Sequence, residues 1–245
     1  MTDNTSPLGL GVVVRTDDGS LTLSHPEHGE CYHSQAGAAA EAYSLYIEAS
    51  GIASAWAELP SLTGILDVGL GLGYNALATL TSWSKAEHAP TLALTSLEVD
   101  EALIRALASG EAPWQESWTG SEKDFCRALQ QTAPNCWTAA LTSADGRAQA
   151  TWTVWLGDAS RATLPPPPAG GWRYVWQDPF SPSRNPVLWT RDWFARIGAG
   201  AAPGCILMTY SVARAVREAL ADAGWTVAKI PTPHKTKRHW LKATR

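Results

Sequence analysis

The chain has 245 residues, of which 45% are hydrophobic and 17% charged, and a net charge of −4. That supports one large α/β domain with a modest extension, and it excludes a global positive field that would draw in nucleic acid, so such a partner needs a local basic patch. The start "MTDNTSPLGLG" lacks the basic and apolar regions of a signal peptide, and no run is long enough for a membrane span, so no membrane partner and a cytoplasmic setting are expected.

Residues 10 to 33 read as a hairpin, with "LGVVVRT" and "SLTLSH" flanking the turn signal "DDG". "HSQAGAAAEAYSLYIEASGI" has helical spacing, with Gly51 as the candidate C-cap. Then come strand "TGILDVG", helix "YNALATLTSWS", strand "TLALTSLEVD" and helix "DEALIRALAS". A second helix, "SEKDFCRALQQT", precedes strand "ATWTVWLGDA", the stiff loop "PPPP" and strand "WRYVWQD". The rest reads as helix "VLWTRDWFARI", strand "GCILMTY", helix "VARAVREALADAG", and strands "WTVAKI" and "RHWLKAT". Strands alternating with helices predict a mainly parallel sheet covered on both faces. Two closing strands without a helix between them predict a terminal hairpin and one antiparallel strand at the sheet edge.

The four cysteines, Cys31, Cys126, Cys136 and Cys205, form no C-x-x-C pair, which points to buried free thiols rather than a zinc site or disulfides. Most of the thirteen tryptophans are expected in the core, and a few suit stacking on a base.

"ILDVGLGLGYN" places three glycines at alternate positions directly after a strand. Dinucleotide binding requires G-x-G-x-x-G, but counting from Gly69 puts Tyr74 at the third glycine position. The P-loop is absent too, since no lysine follows the turn. The pattern D-x-G-x-G-x-G resembles motif I of class I S-adenosylmethionine-dependent methyltransferases, and the alternative is a tight strand–helix turn with no ligand. The resemblance implies that Gly69, Gly71 and Gly73 lie against the methionine and ribose of S-adenosyl-L-methionine, with the Asp67 carboxylate attracting its amino group. It also implies a Rossmann-like sheet of seven strands, mostly parallel with an antiparallel last strand. Residues 61–245 would form this domain and residues 1–60 an N-terminal hairpin and helix extension.

Two further acids fit the pattern. "SLEVD" ends the second core strand, where an acid accepts from ribose hydroxyls. Glu98 is favoured for that role and Asp100 for capping the next helix. Asp158 follows the third strand, where the resemblance implies contact with the adenine amino group; helix capping is its alternative.

"WRYVWQDPFSPSRNPVLWT" carries the chemistry. Asp178-Pro179-Phe180 stands where class I enzymes that methylate nitrogen place an acidic or amide residue, then proline and an aromatic. A carboxylate there holds an amine by its N–H and takes up the released proton. Alignment of that kind is worth on the order of 7–11 kcal/mol in favourable cases. The alternative for Asp178 is an N-cap or loop aspartate.

"DPFSPSRNPVLWT" and "TDDGSLTLSHPEHGECYHSQAGAAAEA", with "TYSVARAVREALADAGWTV" and "KTKRHWLKA", resemble the methyltransferase domain of the MnmC family from about residue 10 onward. That resemblance implies conversion of 5-aminomethyl-(2-thio)uridine to 5-methylaminomethyl-(2-thio)uridine at the tRNA wobble position. Because no oxidase sequence follows, the stand-alone form is expected, with a separate oxidase or upstream modification enzymes as possible partners. Pro179 departs from the glycine or alanine frequent in the family; this keeps the amine chemistry but bears on the substrate. The resemblance also implies that the segment around Ser34 covers the cofactor's methionine end.

The tRNA anticodon region requires cationic surface. Lys235, Lys237, Arg238, Lys242 and Arg245 supply a cluster, and Arg184 and Arg191 flank the active loop. Phe180 or Trp189 suits stacking on the target base, though core packing serves Trp189 equally. His33 reads as a satisfied structural histidine, because no metal partners lie at ligand spacing. The alternatives to a tRNA enzyme are a methyltransferase acting on a small-molecule or protein amine, and a non-catalytic module on the same fold. A dehydrogenase fits least.

Overall fold

A computed structural model describes residues 9–26, 29–118, 120–232 and 239–245. Strands β1 (Val12–Arg15) and β2 (Leu21–Ser24) pair antiparallel as the expected hairpin. Its turn is built around Asp18, whose Oδ1 accepts from the Thr16 hydroxyl at 2.7 Å and the Ser20 amide at 2.9 Å. The other oxygen accepts from the Ala40 amide at 2.9 Å, so the hairpin supplies the missing cap of helix α1 (Ala38–Ala42). The predicted single helix then changes character. Residues Tyr43–Glu48 form a π-helical segment before Gly51, at φ +85°, leads into α2 (Ile52–Ala55).

Next come β3 (Leu62–Val68), α3 (Tyr74–Ser84), β4 (Thr91–Glu98), α4 (Glu101–Ser109) and α5 (Glu122–Arg127). Here the structure departs from expectation. The predicted helix stops at Arg127, and β5 (Gln130–Ala133) and β6 (Cys136–Thr142) form an additional hairpin. All four residues of β5 are exposed, so no apolar alternation marked the strand. The chain continues through β7 (Gln149–Leu156), β8 (Trp172–Gln177), α6 (Arg191–Ala199), β9 (Ala201–Thr209), α7 (Arg214–Asp222), β10 (Thr226–Pro231) and β11 (His239–Thr244).

The main sheet has nine strands among the described residues, in the order β10-β11-β9-β8-β3-β4-β7-β6-β5. The expected seven are joined by the β5–β6 hairpin. The centre is parallel (β9, β8, β3, β4 and β7), while both flanks are antiparallel. The terminal hairpin is present, but its antiparallel strand β11 lies inside, between β9 and β10, rather than at the edge. β3 shows the continuous burial of a strand covered on both faces.

Two apolar clusters cover the faces. One gathers residues of α1, α3, α4 and the hairpin; the other gathers residues of α6 and α7. Twelve tryptophans are buried and the thirteenth, Trp155, is partly buried against the second cluster, so none stands out as a free stacking surface. Each aromatic of this size removes on the order of 150–250 Å² from water. Several also satisfy their indole N–H internally, as Trp176 does on Thr79 Oγ1 at 3.0 Å. Cys126 and Cys205 are buried as expected, but Cys31 and Cys136 are only half-buried; all four are free.

Candidate active site

The order of strands reverses at β3: the chain moves to β4 and β7 on one side, then to β8 and β9 on the other. Ligands of open α/β sheets sit at the carboxyl ends of the strands at such a point. A cavity of about 760 Å³ lies there, walled by the loops after β3, β4, β7 and β8 and by residues 30–35 of the N-terminal region. Six carboxylates line it (Glu30, Glu41, Glu98, Asp100, Asp158 and Asp178), against two arginines, Arg161 and Arg184.

The glycine turn forms one wall. Gly69, Gly71 and Gly73 have φ of +85°, +51° and +90°, a region that side chains disfavour. A Cβ on Gly69 would lie 2.9 Å from the Asp178 carbonyl oxygen, and one on Gly73 3.0 Å from Leu107 Cδ1. The bare backbone therefore admits neighbouring protein. Gly69 and Gly71 line the cavity, whereas Gly73 packs behind it on α4. The loop is tied to the tip of β4: the Leu70 amide donates to the Leu97 carbonyl at 2.9 Å and the Gly71 amide to Glu98 Oε2 at 2.8 Å.

Glu98 also accepts the Val99 and Asp100 amides on Oε1, at 2.8 and 3.0 Å. Burial raises its pKa, and these amides oppose the rise. A carboxylate offers about four lone-pair sites, and three are already engaged. Asp100 caps α4 by accepting from the Ala102 amide at 2.8 Å, as expected. Asp158 accepts from the Ser160 amide and hydroxyl at 2.9 and 2.6 Å, which holds its carboxyl below the usual range. It thus caps a turn and also lines the cavity. Ser34 lines the opposite wall, with its amide on Glu41 Oε2 at 3.1 Å.

Asp67 is not where expected. It is fully buried outside the cavity wall, accepting from Ser96 Oγ at 2.8 Å, while no described residue donates to its Oδ1. Burial, with the Asp178 and Glu98 charges adding, pushes its pKa to about 8 against the pull of Ser96. Its carboxylate lies behind the glycine loop, beside Ser96, and not on the cavity wall.

At the far end stands Asp178. Its amide donates to the Val68 carbonyl at 3.0 Å, which extends the β3–β8 pairing by one residue. Asn75, on the first turn of α3, donates from Nδ2 to Asp178 Oδ2 at 2.7 Å. Tyr46, on the π-helical segment, buries its hydroxyl against Asp178; burial and the Asp178 charge hold its pKa well above the phenol range. The Tyr210 hydroxyl donates to the Pro179 carbonyl at 3.0 Å. Phe180 packs with His25 and Tyr32, at ring centroid distances of 5.2 and 5.0 Å. Glu30 joins this N-terminal region to the loop: its Oε1 accepts from Ser181 Oγ at 2.8 Å and lies 3.6 Å from Arg184 Nε.

Sequence reasoning found Asp178, Phe180, Glu98, Asp158 and Ser34, all of which line this cavity. It missed Asn75, Tyr46, Tyr210 and Glu30; only the position of Asn75, two residues after the glycine turn, carried a signal. Trp189 is a packing residue, 5% exposed with its indole N–H on the Phe180 carbonyl. His33 is a structural ring on Tyr74, yet its Nδ1 is buried without a partner among the described residues. Burial lowers its pKa to about 4, so the ring is neutral. Arg191 is exposed outside the cavity wall, and Arg245 sits over the Trp225 ring. Lys235, Lys237 and Arg238 lie outside the described residues. No three His, Cys, Asp or Glu side chains among the described residues are placed to hold a metal.

Residues 121–245 match the family model described as S-adenosyl-L-methionine-dependent methyltransferase. The bifunctional MnmC protein for tRNA 5-methylaminomethyl-2-thiouridine biosynthesis from Methylibium petroleiphilum is 32% identical over 91% of this chain and 33% of its own length. Its counterpart from Aromatoleum aromaticum is 31% identical over 92% and 34%. The chain thus spans about a third of these relatives. The crystal structure of MnmC2 from Aquifex aeolicus superposes with a TM-score of 0.70 at 26% identity, covering 94% of this chain and 69% of that one. Spermidine synthase from Thermotoga maritima, at TM-score 0.51 and 11% identity over 95% and 72%, shares the fold alone. With the matching family model covering the β8 loop and Asp178, the chain belongs to the S-adenosyl-L-methionine-dependent methyltransferases.

Proposed function

We propose that this methyltransferase converts the aminomethyl group of a wobble uridine, 5-aminomethyl-(2-thio)uridine, to methylaminomethyl in the tRNA anticodon region. The observation that carries the amine chemistry is Asp178, fixed at the wall of an acid-lined cavity by Asn75 and by the backbone of β3. The acceptor itself is suggested by what the MnmC relatives are described as making.

S-adenosyl-L-methionine supplies an electrophilic methyl on a sulfonium. The donor set fits it: the cavity is of small-molecule size, and its carboxylates complement a sulfonium and an ammonium. Glu98, at the tip of β4, keeps acceptor capacity for a ribose hydroxyl, and Asp158 suits the adenine amino group. Ser34 and the Gly69–Gly71 backbone flank the methionine end. Asp67 and Gly73 act from behind, shaping the loop. Asp178 holds the amine by an N–H, keeps water from competing for it, and takes up the proton released after transfer. Phe180 offers the target base an aromatic edge beside Tyr32. Arg184, half-exposed at the rim, meets a phosphate by exchanging its Glu30 partner; Lys235, Lys237 and Arg238 are proposed as further phosphate contacts from the sequence alone. An upstream oxidase or other modification activity supplies the primary amine.

The test is methylation of bulk tRNA from cells that accumulate the aminomethyl nucleoside, followed by nucleoside analysis. The methylaminomethyl nucleoside is expected. Transfer to small-molecule or protein amines with none to this tRNA would overturn the assignment.

A further inference from the structure

Beside Asp178 stands an acceptor that the described protein leaves unused. Asn75 is 2% exposed and lines the cavity. Its Nδ2 donates to Asp178 Oδ2. The chemistry fixes that orientation, because an ionised carboxylate only accepts and must face the NH₂ of the amide. Oδ1, on the same carbon, is thereby left buried with no donor from any described residue. Folded proteins rarely tolerate a buried acceptor without a partner, and such an atom just behind a cavity wall is met by ordered water or, after a small side-chain shift, by a ligand. The other acceptor next to Asp178, the Pro179 carbonyl, already receives the Tyr210 hydroxyl.

We propose that Asn75 Oδ1 and the Asp178 carboxylate form a two-acceptor seat for the reacting amine, and that this seat limits the enzyme to a single methyl transfer. The proposal rests on the amine acceptor argued above. A neutral primary amine has two N–H bonds and one lone pair. With one N–H on Asp178 and the other on Asn75, the lone pair is turned away from both, toward the methyl carbon. The N–C bond forms from that pair as the carbon–sulfur bond breaks, and the bonding electrons stay on sulfur. The nitrogen becomes cationic and gives one proton to Asp178. The secondary amine that results has a single N–H. It cannot satisfy both acceptors while aiming its lone pair at a second methyl donor, and a site built to bond a missing donor discriminates strongly.

Two measurements test this on the wild-type chain and on Asn75→Leu and Asn75→Ala, with melting curves to confirm folding. The first is equilibrium binding, in the presence of S-adenosylhomocysteine and at a pH above the amine's own pKa so that the secondary amine keeps a single N–H, of tRNA bearing either the aminomethyl or the methylaminomethyl group. The second is nucleoside analysis after exhaustive reaction. The wild type is expected to prefer the primary amine by roughly tenfold, the worth of one such hydrogen bond. In the variants that ratio falls toward one, and dimethylated nucleoside appears. Equal binding of the two tRNAs by the wild type overturns the proposal without any variant. Variants that lose rate but keep the preference and the single product overturn it too, because Asn75 then only positions Asp178. A wild type that methylates no tRNA amine at all refutes the underlying assignment instead, so the two failures are distinguishable.

Discussion

At the glycine-loop end of the cavity the loop amides are spent on Leu97 and Glu98, whereas at the Asp178 end the Asn75 side chain keeps an acceptor without a donor among the described residues. Glu98 takes three backbone amides, from Gly71, Val99 and Asp100. Asn75 Oδ1, by contrast, is buried with no donor among the described residues, while the Tyr46 hydroxyl is buried against Asp178. The first end is a mould fixed by backbone conformation before any ligand arrives. The second carries unmet hydrogen-bonding capacity that a substrate can complete. Under the proposed function this difference separates binding from chemistry: the mould would set affinity, and the incomplete end rate and selectivity.

Substitutions that break this division should do so in graded fashion. Asp178→Ala is expected to cut turnover by roughly 10²–10⁴-fold while cofactor affinity, read by titration calorimetry, holds. Equal losses in both would merge the two ends into one. Asp67, behind the mould, gives a pH signature. Its folded pKa of about 8 is raised above the ordinary 3.8, so its contribution to stability is complete below the lower value and is lost as pH rises through the higher. Melting temperature should therefore fall between pH 4 and 8, by at most about 1.4 kcal/mol of stability per pH unit from this group. Asp67→Asn should flatten that slope and melt above the wild type near pH 8; an unchanged slope would remove Asp67 as its source.

Gly69→Ala places a Cβ 2.9 Å from the Asp178 carbonyl oxygen at a φ of +85°. A loss of about 1–3 kcal/mol is expected, a fall in melting temperature of roughly 3–10 °C. Glu98→Gln leaves one carbonyl oxygen for three amides, and cofactor affinity should drop roughly tenfold with tRNA affinity unchanged. Arg184→Ala should be mildest. Its ion pair with Glu30 is half-exposed, so stability should change by less than about 1 kcal/mol, while the tRNA KM rises a few-fold.

The same division explains what was legible in the amino-acid sequence. The mould is local: "ILDVGLGLGYN" and "SLEVD" each carry strand, turn and acid within a dozen residues, so Gly69, Gly71 and Glu98 were found without a structure. The incomplete end draws Glu30, Tyr46, Asn75, Asp178 and Tyr210 from five separate segments, and only Asp178 sat in a motif. Asp67 was misplaced because pattern alone places it beside the turn, while strand alternation turns it inward, beneath the turn. The β5–β6 hairpin escaped notice because β5 is exposed throughout and β6 was pulled into the sheet by pairing with β7.

The position of β11 has a consequence for biosynthesis. It is translated after every other strand of the main sheet, yet it occupies an interior slot, with β9 on one side and β10 on the other. Until it leaves the ribosome, β9 presents an open hydrogen-bonding edge and β10 has no neighbour to dock on. The nascent chain must therefore wait with that flank unsealed, and truncations that remove β11 should favour self-association over a merely frayed end.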